Sequence, residues 1–111
     1  MRGLIGAAEL AAMKPSGVIM NVGRGPVIVE DALVEALREK RIRGAALDVF
    51  DTEPLPAGHP LWALDNVLIS PHSADHTPGW TDHSMRIFVR NFLHYAAGEP
   101  LENLVNKREG Y

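Results

Sequence analysis

The sequence contains no cysteine, which excludes disulfide staples and thiolate chemistry and fits a reducing, cytoplasmic setting. No apolar run approaches the roughly 20 residues needed to cross a bilayer. The N-terminal MRGLIGAAELAAMK is interrupted by Glu9 and lacks the continuous apolar core of a signal peptide. Cationic excess is absent as well. Eleven Lys and Arg stand against 14 Asp and Glu, a net charge of −3, so neither nucleic acid nor an anionic membrane is an expected partner. Aromatic residues make up only 6% of the chain. Trp80, Phe88 and Phe92 have no surrounding Lys or Arg cluster, which favours core positions over a base-stacking platform. Internal repeats and low-complexity segments are also missing. With 111 residues and 46% apolar content, the chain can build one compact core and falls short of a two-domain enzyme.

What is present reads as a parallel α/β pattern. Ala7 to Met13 has the look of the last turns of a helix, broken by Lys14-Pro15-Ser16-Gly17. Compact apolar runs predict strands near residues 18–22, 45–49 and 67–70, of the kind buried on both faces of a sheet. Between the first two, Leu33, Ala36 and Leu37 fall at helical spacing over 30–40. Acidic Glu30 and Asp31 open that helix, and basic Arg38, Lys40 and Arg41 close it, as the helix dipole favours. Gly44 reads as its terminator. A second helix is expected near 79–97, with Thr77 as N-cap, Pro78 at the first helical position, an apolar face of Met85, Phe88, Val89, Phe92 and Ala96, and an end near Gly98. The tail from Glu99 to Tyr111 reads as polar and extended. Strand, helix, strand, connection, strand, helix implies a parallel sheet with right-handed crossovers and both faces covered.

Arg24, Glu53 and His72 stand where the three strands end, in the contexts NVGRGP, LDVFDTEP and ISPHSA. Open parallel sheets build their sites at the carboxyl ends of strands. A guanidinium can grip a carboxylate through two parallel hydrogen bonds, and an imidazole backed by a carboxylate can exchange a proton near neutral pH. Together these groups suit chemistry on a 2-keto or 2-hydroxy acid. Asp48 is conspicuous as a lone carboxylate in an apolar run. The G-x-G-x-x-G fingerprint of a dinucleotide-binding turn is absent, and Gly23-Arg24-Gly25 has neither its length nor its following helix.

The segments NVGRGPVIVEDALVEAL, GAALDVFDTEPLP, HPLWALDNVLISPHSA and LENLVNKREGY resemble the D-isomer-specific 2-hydroxyacid dehydrogenase family over nearly the whole chain, and the closing Gly110-Tyr111 is similar to its glyoxylate and hydroxypyruvate reductase branch. The resemblance implies the C-terminal part of a Rossmann-type parallel sheet, about three strands with flanking helices. Residues 1–97 would belong to the NAD(P)-binding domain and 98–111 to a tail returning toward a substrate domain. Met1 would fall inside the cofactor domain, after the dinucleotide fingerprint, so that without the earlier strands the Val18–Val22 edge and one sheet face would lie open. By the same resemblance Arg24 would bind the substrate carboxylate, His72 would protonate the carbonyl oxygen, and Glu53 would pair with His72 and favour its imidazolium form. Asp48 would accept from the nicotinamide carboxamide. Val22, Gly23 and Ala74 would line the same ring, with Arg24 and His72 beside it. The cofactor would be NAD or NADP, the substrate a small 2-keto or 2-hydroxy acid, and the full-length enzyme a homodimer. Two positions depart from the family pattern: Val29 replaces a common helix-capping aspartate, and Asp75 stands where many relatives have glycine.

Taken singly, each of these residues has a plainer reading. Arg24 could be a solvated turn residue, Asp48 a strand-end carboxylate bonding a loop amide, Glu53 a turn residue before proline, and His72 a satisfied histidine. Their occurrence together in order favours the functional reading. A metal site built from His72, Asp75, His76 and His83 is disfavoured, because Pro71 and Pro78 point to a loop and not to a helix that would align the imidazoles. His59 and His94 read as ordinary turn and helix-surface residues, and Trp62 as an anchor for the loop after Pro60. The alternative to an oxidoreductase fragment, inactive by itself, is a non-catalytic interaction or dimerisation module derived from the same fold.

Overall fold

The computed structural model describes residues 2–108. The Gly110-Tyr111 ending therefore lies outside the described residues. Residues through Ala74 form one compact unit, and those from Asp75 form a second.

The first unit is a three-stranded parallel sheet in the order β1 (Val18–Asn21), β2 (Gly44–Leu47), β3 (Val67–Ile69). Val18 pairs with Gly44 and Asn21 with Leu47, while Ala45 pairs with Val67 and Leu47 with Ile69. Two helices, α1 (Ala7–Ala12) and α2 (Glu30–Arg38), pack against each other beside it. Strand side chains alternate between faces. Ala45 and Leu47 enter a core with Leu10, Leu33, Leu37 and Ile42, and Ile19, Val67 and Ile69 pack against it. The alternate positions Val18, Met20 and Leu68 are 46%, 73% and 70% exposed. The runs read as strands buried on both faces are buried on one, and the other face is open as expected for a sheet without its earlier strands. Within this unit, the buried strand side chains lie on the face carrying the helices, because α1 and α2 both contribute to one core.

One local signal acts differently from its sequence reading. Gly44 does not end α2. The helix stops at Arg38, and Lys40 takes the left-handed turn at φ 54°. Gly44 begins β2, where a Cβ would lie 2.6 Å from the Asn66 carbonyl oxygen. Close approach of two chains, and not helix termination, is what requires glycine there. Val29 supplies no side-chain cap to α2, as the missing aspartate implies.

In the second unit, α3 spans Trp80–Ala97. Its N-cap is Gly79 at φ 80°, so Thr77 and Pro78 precede the helix and do not open it. Gly98 ends it at φ 71°, as expected. Trp80, Phe88 and Phe92 are 42%, 64% and 59% exposed, which corrects their reading as core. Periodicity identifies a helix face but cannot say what lies against it. The described tail is not extended. Glu102 accepts from Arg90 Nη2 at 2.9 Å and donates its backbone N–H to Asn91 Oδ1 at 2.7 Å, folding back on α3.

Candidate functional site

Each strand of the sheet ends in a turn that fixes one polar group. At the end of β1, the 8% exposed Asn21 accepts from the Gly23 N–H at 3.1 Å and donates to the Arg24 carbonyl at 3.0 Å. This side-chain turn sets the chain direction before Arg24. Arg24 itself is extended, at φ −145° and ψ 137°, and its exposed guanidinium donates to the Gly23 carbonyl at 2.8 Å. The following Gly25 is buried against the β2 turn, where its own Cβ would lie 2.0 Å from the Phe50 carbonyl carbon and oxygen. The turns bearing Arg24 and Glu53 are therefore in backbone contact.

The turn after β2 carries both carboxylates. Asp48 is 2% exposed and held through both oxygens by the turn after β3. Its Oδ1 accepts from Ser70 Oγ at 2.5 Å and Ser73 N–H at 2.9 Å, and its Oδ2 from Ala74 N–H at 2.8 Å. These bonds hold its carboxyl below the usual aspartate range, the Ser70 hydroxyl foremost and the Ser73 amide next, against the opposing effect of burial. Between the residues it grips, His72 adopts φ 52°, a left-handed conformation costing a non-glycine residue about 1 kcal/mol or more. Asp48 thus pins the strained turn that presents His72.

Glu53 accepts from the Phe50 N–H at 2.9 Å through Oε1 and meets His72 Nδ1 at 2.6 Å through Oε2. Its carboxyl is lowered first by the His72 hydrogen bond and next by the Phe50 amide, with the charges of His72 and Arg24 adding to the effect. An ionised carboxylate only accepts, so Nδ1 carries the proton and Nε2 is the nitrogen left for other partners. A hollow of about 550 Å³ adjoins the pair, walled by Pro54, Leu55, Trp62, Ile69 and Pro71.

The three strand-end residues expected from sequence therefore converge. Glu53 and His72 bond directly, and the turn bearing Arg24 meets the Glu53 turn where Gly25 packs on Phe50. Val22 and Gly23 are exposed at the end of β1, and Ala74 uses its N–H on Asp48. Asn21, Ser70 and Ser73 escaped the sequence reading. Asparagine two residues before a glycine was a usable signal for Asn21, whereas the serines reveal themselves only once Asp48 is placed. Among the described residues no group of His, Asp or Glu could hold a metal, and no helix is long and apolar enough to cross a membrane.

Asp48 Oδ2 accepts one hydrogen bond and so keeps a lone pair for an amide donor such as a nicotinamide carboxamide. That acceptor is compatible with the nicotinamide end, while no glycine fingerprint offers a pyrophosphate cradle.

Residues 1–74 match the family described as D-isomer specific 2-hydroxyacid dehydrogenase, NAD binding domain. Among curated relatives, a glyoxylate reductase of Aeropyrum pernix is 43% identical over 106 residues, 96% of this chain and 32% of that protein. Glyoxylate/hydroxypyruvate reductase B of Pectobacterium carotovorum is 47% identical over 103 residues, covering 93% and 32%. A D-isomer specific 2-hydroxyacid dehydrogenase of Xanthobacter autotrophicus, solved with NADPH and MES, superposes with a TM-score of 0.88 at 46% identity, over 99% of this chain and 45% of that one. The chain spans about a third of the length of these curated relatives.

Proposed function

The chain belongs to the D-isomer specific 2-hydroxyacid dehydrogenase family, and from that premise we propose that it carries the proton-transfer part of an NAD(P)-dependent site interconverting a 2-keto acid and a D-2-hydroxy acid. Glyoxylate and hydroxypyruvate, named for its relatives, are the substrates this reading favours. The observation that carries it is the 2.6 Å contact of His72 Nδ1 with Glu53 Oε2. In the same reading, residues 1–97 complete a cofactor domain, 98–111 return toward a substrate domain, and the full-length enzyme is a homodimer.

Each residue has a distinct task. Arg24 releases the Gly23 carbonyl and takes the substrate carboxylate in its two-pronged grip. His72 donates the Nε2 proton to the carbonyl oxygen in reduction and recovers it in oxidation. Glu53 accepts from Nδ1–H, which orients the ring and supports its positive charge. Asp48 holds the 72–74 turn and offers its remaining lone pair to the cofactor amide. Val22, Gly23 and Ala74 give the ring a backbone floor. NAD or NADP, when bound, supplies or accepts the hydride.

The test is a chimera in which residues 1–108 replace the corresponding third of the Aeropyrum glyoxylate reductase. There, His72→Ala lowers turnover in both directions by about 10²- to 10⁴-fold, the range for a lost general acid. Arg24→Ala raises KM and lowers kcat together. Activity of His72→Ala within a fewfold of the parent chimera overturns the assignment.

A further inference from the structure

A second histidine–carboxylate pair closes the loop that carries Glu53. Glu30, the first residue of α2, does not cap its own helix. Its Oε2 accepts from the Asp51 N–H at 3.2 Å, and its Oε1 lies 3.1 Å from His59 Nε2. One carboxylate thus ties together both ends of the segment from Asp51 to His59, with Glu53 between them. The contact is sheltered, its two side chains being 18% and 21% exposed. His59 is also constrained on its other nitrogen. Nδ1 accepts from the Leu61 N–H at 3.3 Å, capping the single turn of 3-10 helix at Pro60–Ala63. With Nδ1 accepting, the neutral ring carries its proton on Nε2, directed at Glu30.

We propose that His59 and Glu30 are positioning residues for Glu53, and through it for His72. The inference rests on the reading of Glu53 and His72 as the proton-transfer pair. A free Asp51–His59 loop would spread the Glu53 carboxylate over many positions, whereas the Nδ1 bond to His72 requires one. Clamping both loop ends to the start of α2 transfers the order of a helix packed by Leu33, Val34 and Leu37 to the Glu53 carboxylate. The other charged groups around this clamp are Asp31 on α2, Asp51 in the loop, and Arg2, which lies 3.9 Å from Asp51.

Two readouts separate this role from general support of the fold. In the 111-residue chain, the ring 15N–1H spectrum of His72 should show one hydrogen-bonded Nδ1–H signal. His59→Ala should shift or broaden it, Glu30→Ala should do the same from the helix side, and His59→Gln, which keeps a donor toward Glu30, should restore it. In the chimera, His59→Ala should lower kcat about 10- to 100-fold with little change in KM, the cost of a small misplacement of a catalytic group. Added to Glu53→Gln it should cost nothing further, because both changes act through one carboxylate. If His59→Ala and Glu30→Ala leave the His72 signal unchanged, or if the His59 and Glu53 effects multiply, the proposal is overturned. Should His59→Ala fail to fold, Glu30→Ala decides on the same spectrum. A chimera inactive even with all native residues would refute the oxidoreductase reading, while the His72 spectrum still decides the clamp.

Discussion

Replacing Gly25 by alanine adds one methyl at the point where the turns bearing Arg24 and Glu53 touch. That carbon would sit 2.0 Å from the Phe50 carbonyl carbon and oxygen and 2.6 Å from the Asp51 nitrogen. All three neighbours are backbone, so no side chain can swing aside. To reach ordinary contact at 3.4 Å, the two turns must part by about 1.4 Å. Overpacking of this kind costs about 1–3 kcal/mol or more, which for a domain of this size lowers Tm by roughly 5–20 °C. The displacement falls on Phe50, whose N–H holds Glu53. Arg24 and the Glu53–His72 pair would therefore separate by an amount that costs about 100-fold in turnover. Thermal unfolding of the chain measures the first effect, and kcat/KM in the chimera measures the second. Gly58→Ala is the control, since nothing lies within 4 Å of its Cβ position and its φ is unstrained. A Gly25→Ala protein that melts with the parent and retains its kcat/KM would refute the argument that this contact holds the two turns in register.

The Glu53 carboxyl is depressed below its ordinary value of 4.5, so its contribution to stability is present above that value and disappears as pH falls through the lower folded one. Glu53→Gln should accordingly flatten the fall of Tm on acidification below about pH 4.5, and an unchanged acid profile would contradict the pairing. The 111-residue chain alone should not reduce glyoxylate or hydroxypyruvate with NADH or NADPH above background, because near-attack positioning worth about 7–11 kcal/mol needs both reactants anchored; saturable, His72-dependent turnover would disprove this. The exposed Met20 and Leu68 should bind a hydrophobic dye, and Met20→Lys should reduce the fluorescence. Leu37→Ala, at a position with 0% exposure, should cost about 2–5 kcal/mol in urea unfolding, and a loss under 1 kcal/mol would mean the core is not centred there.

The sequence by itself determined the parallel order of the strands and the residues at their ends. Short β-branched and apolar runs, a helix with ordered charges and turn residues at each strand end are local signals, written in neighbouring positions. For the same reason Arg24, Glu53 and His72 were legible as candidates, since strand ends in a parallel sheet face one common edge. Tertiary structure decided how those candidates are held. The apolar run around Asp48 marks a strand-end carboxylate suited to a loop amide, but not that Ser70, Ser73 and Ala74 are its partners, because they lie 22 to 26 residues away. Glu30 looked like a dipole-favoured helix opener and became a tie to Asp51 and His59, 21 residues or more distant. Gly44 resembled a helix terminator and Gly25 part of the turn after the first strand, yet the need for glycine at both comes from backbone at Asn66 and Phe50. Periodicity marked the apolar face of α3 but not its exposure. Propensity acts over a few residues, whereas burial, hydrogen-bond partnership and close approach exist only after distant segments meet.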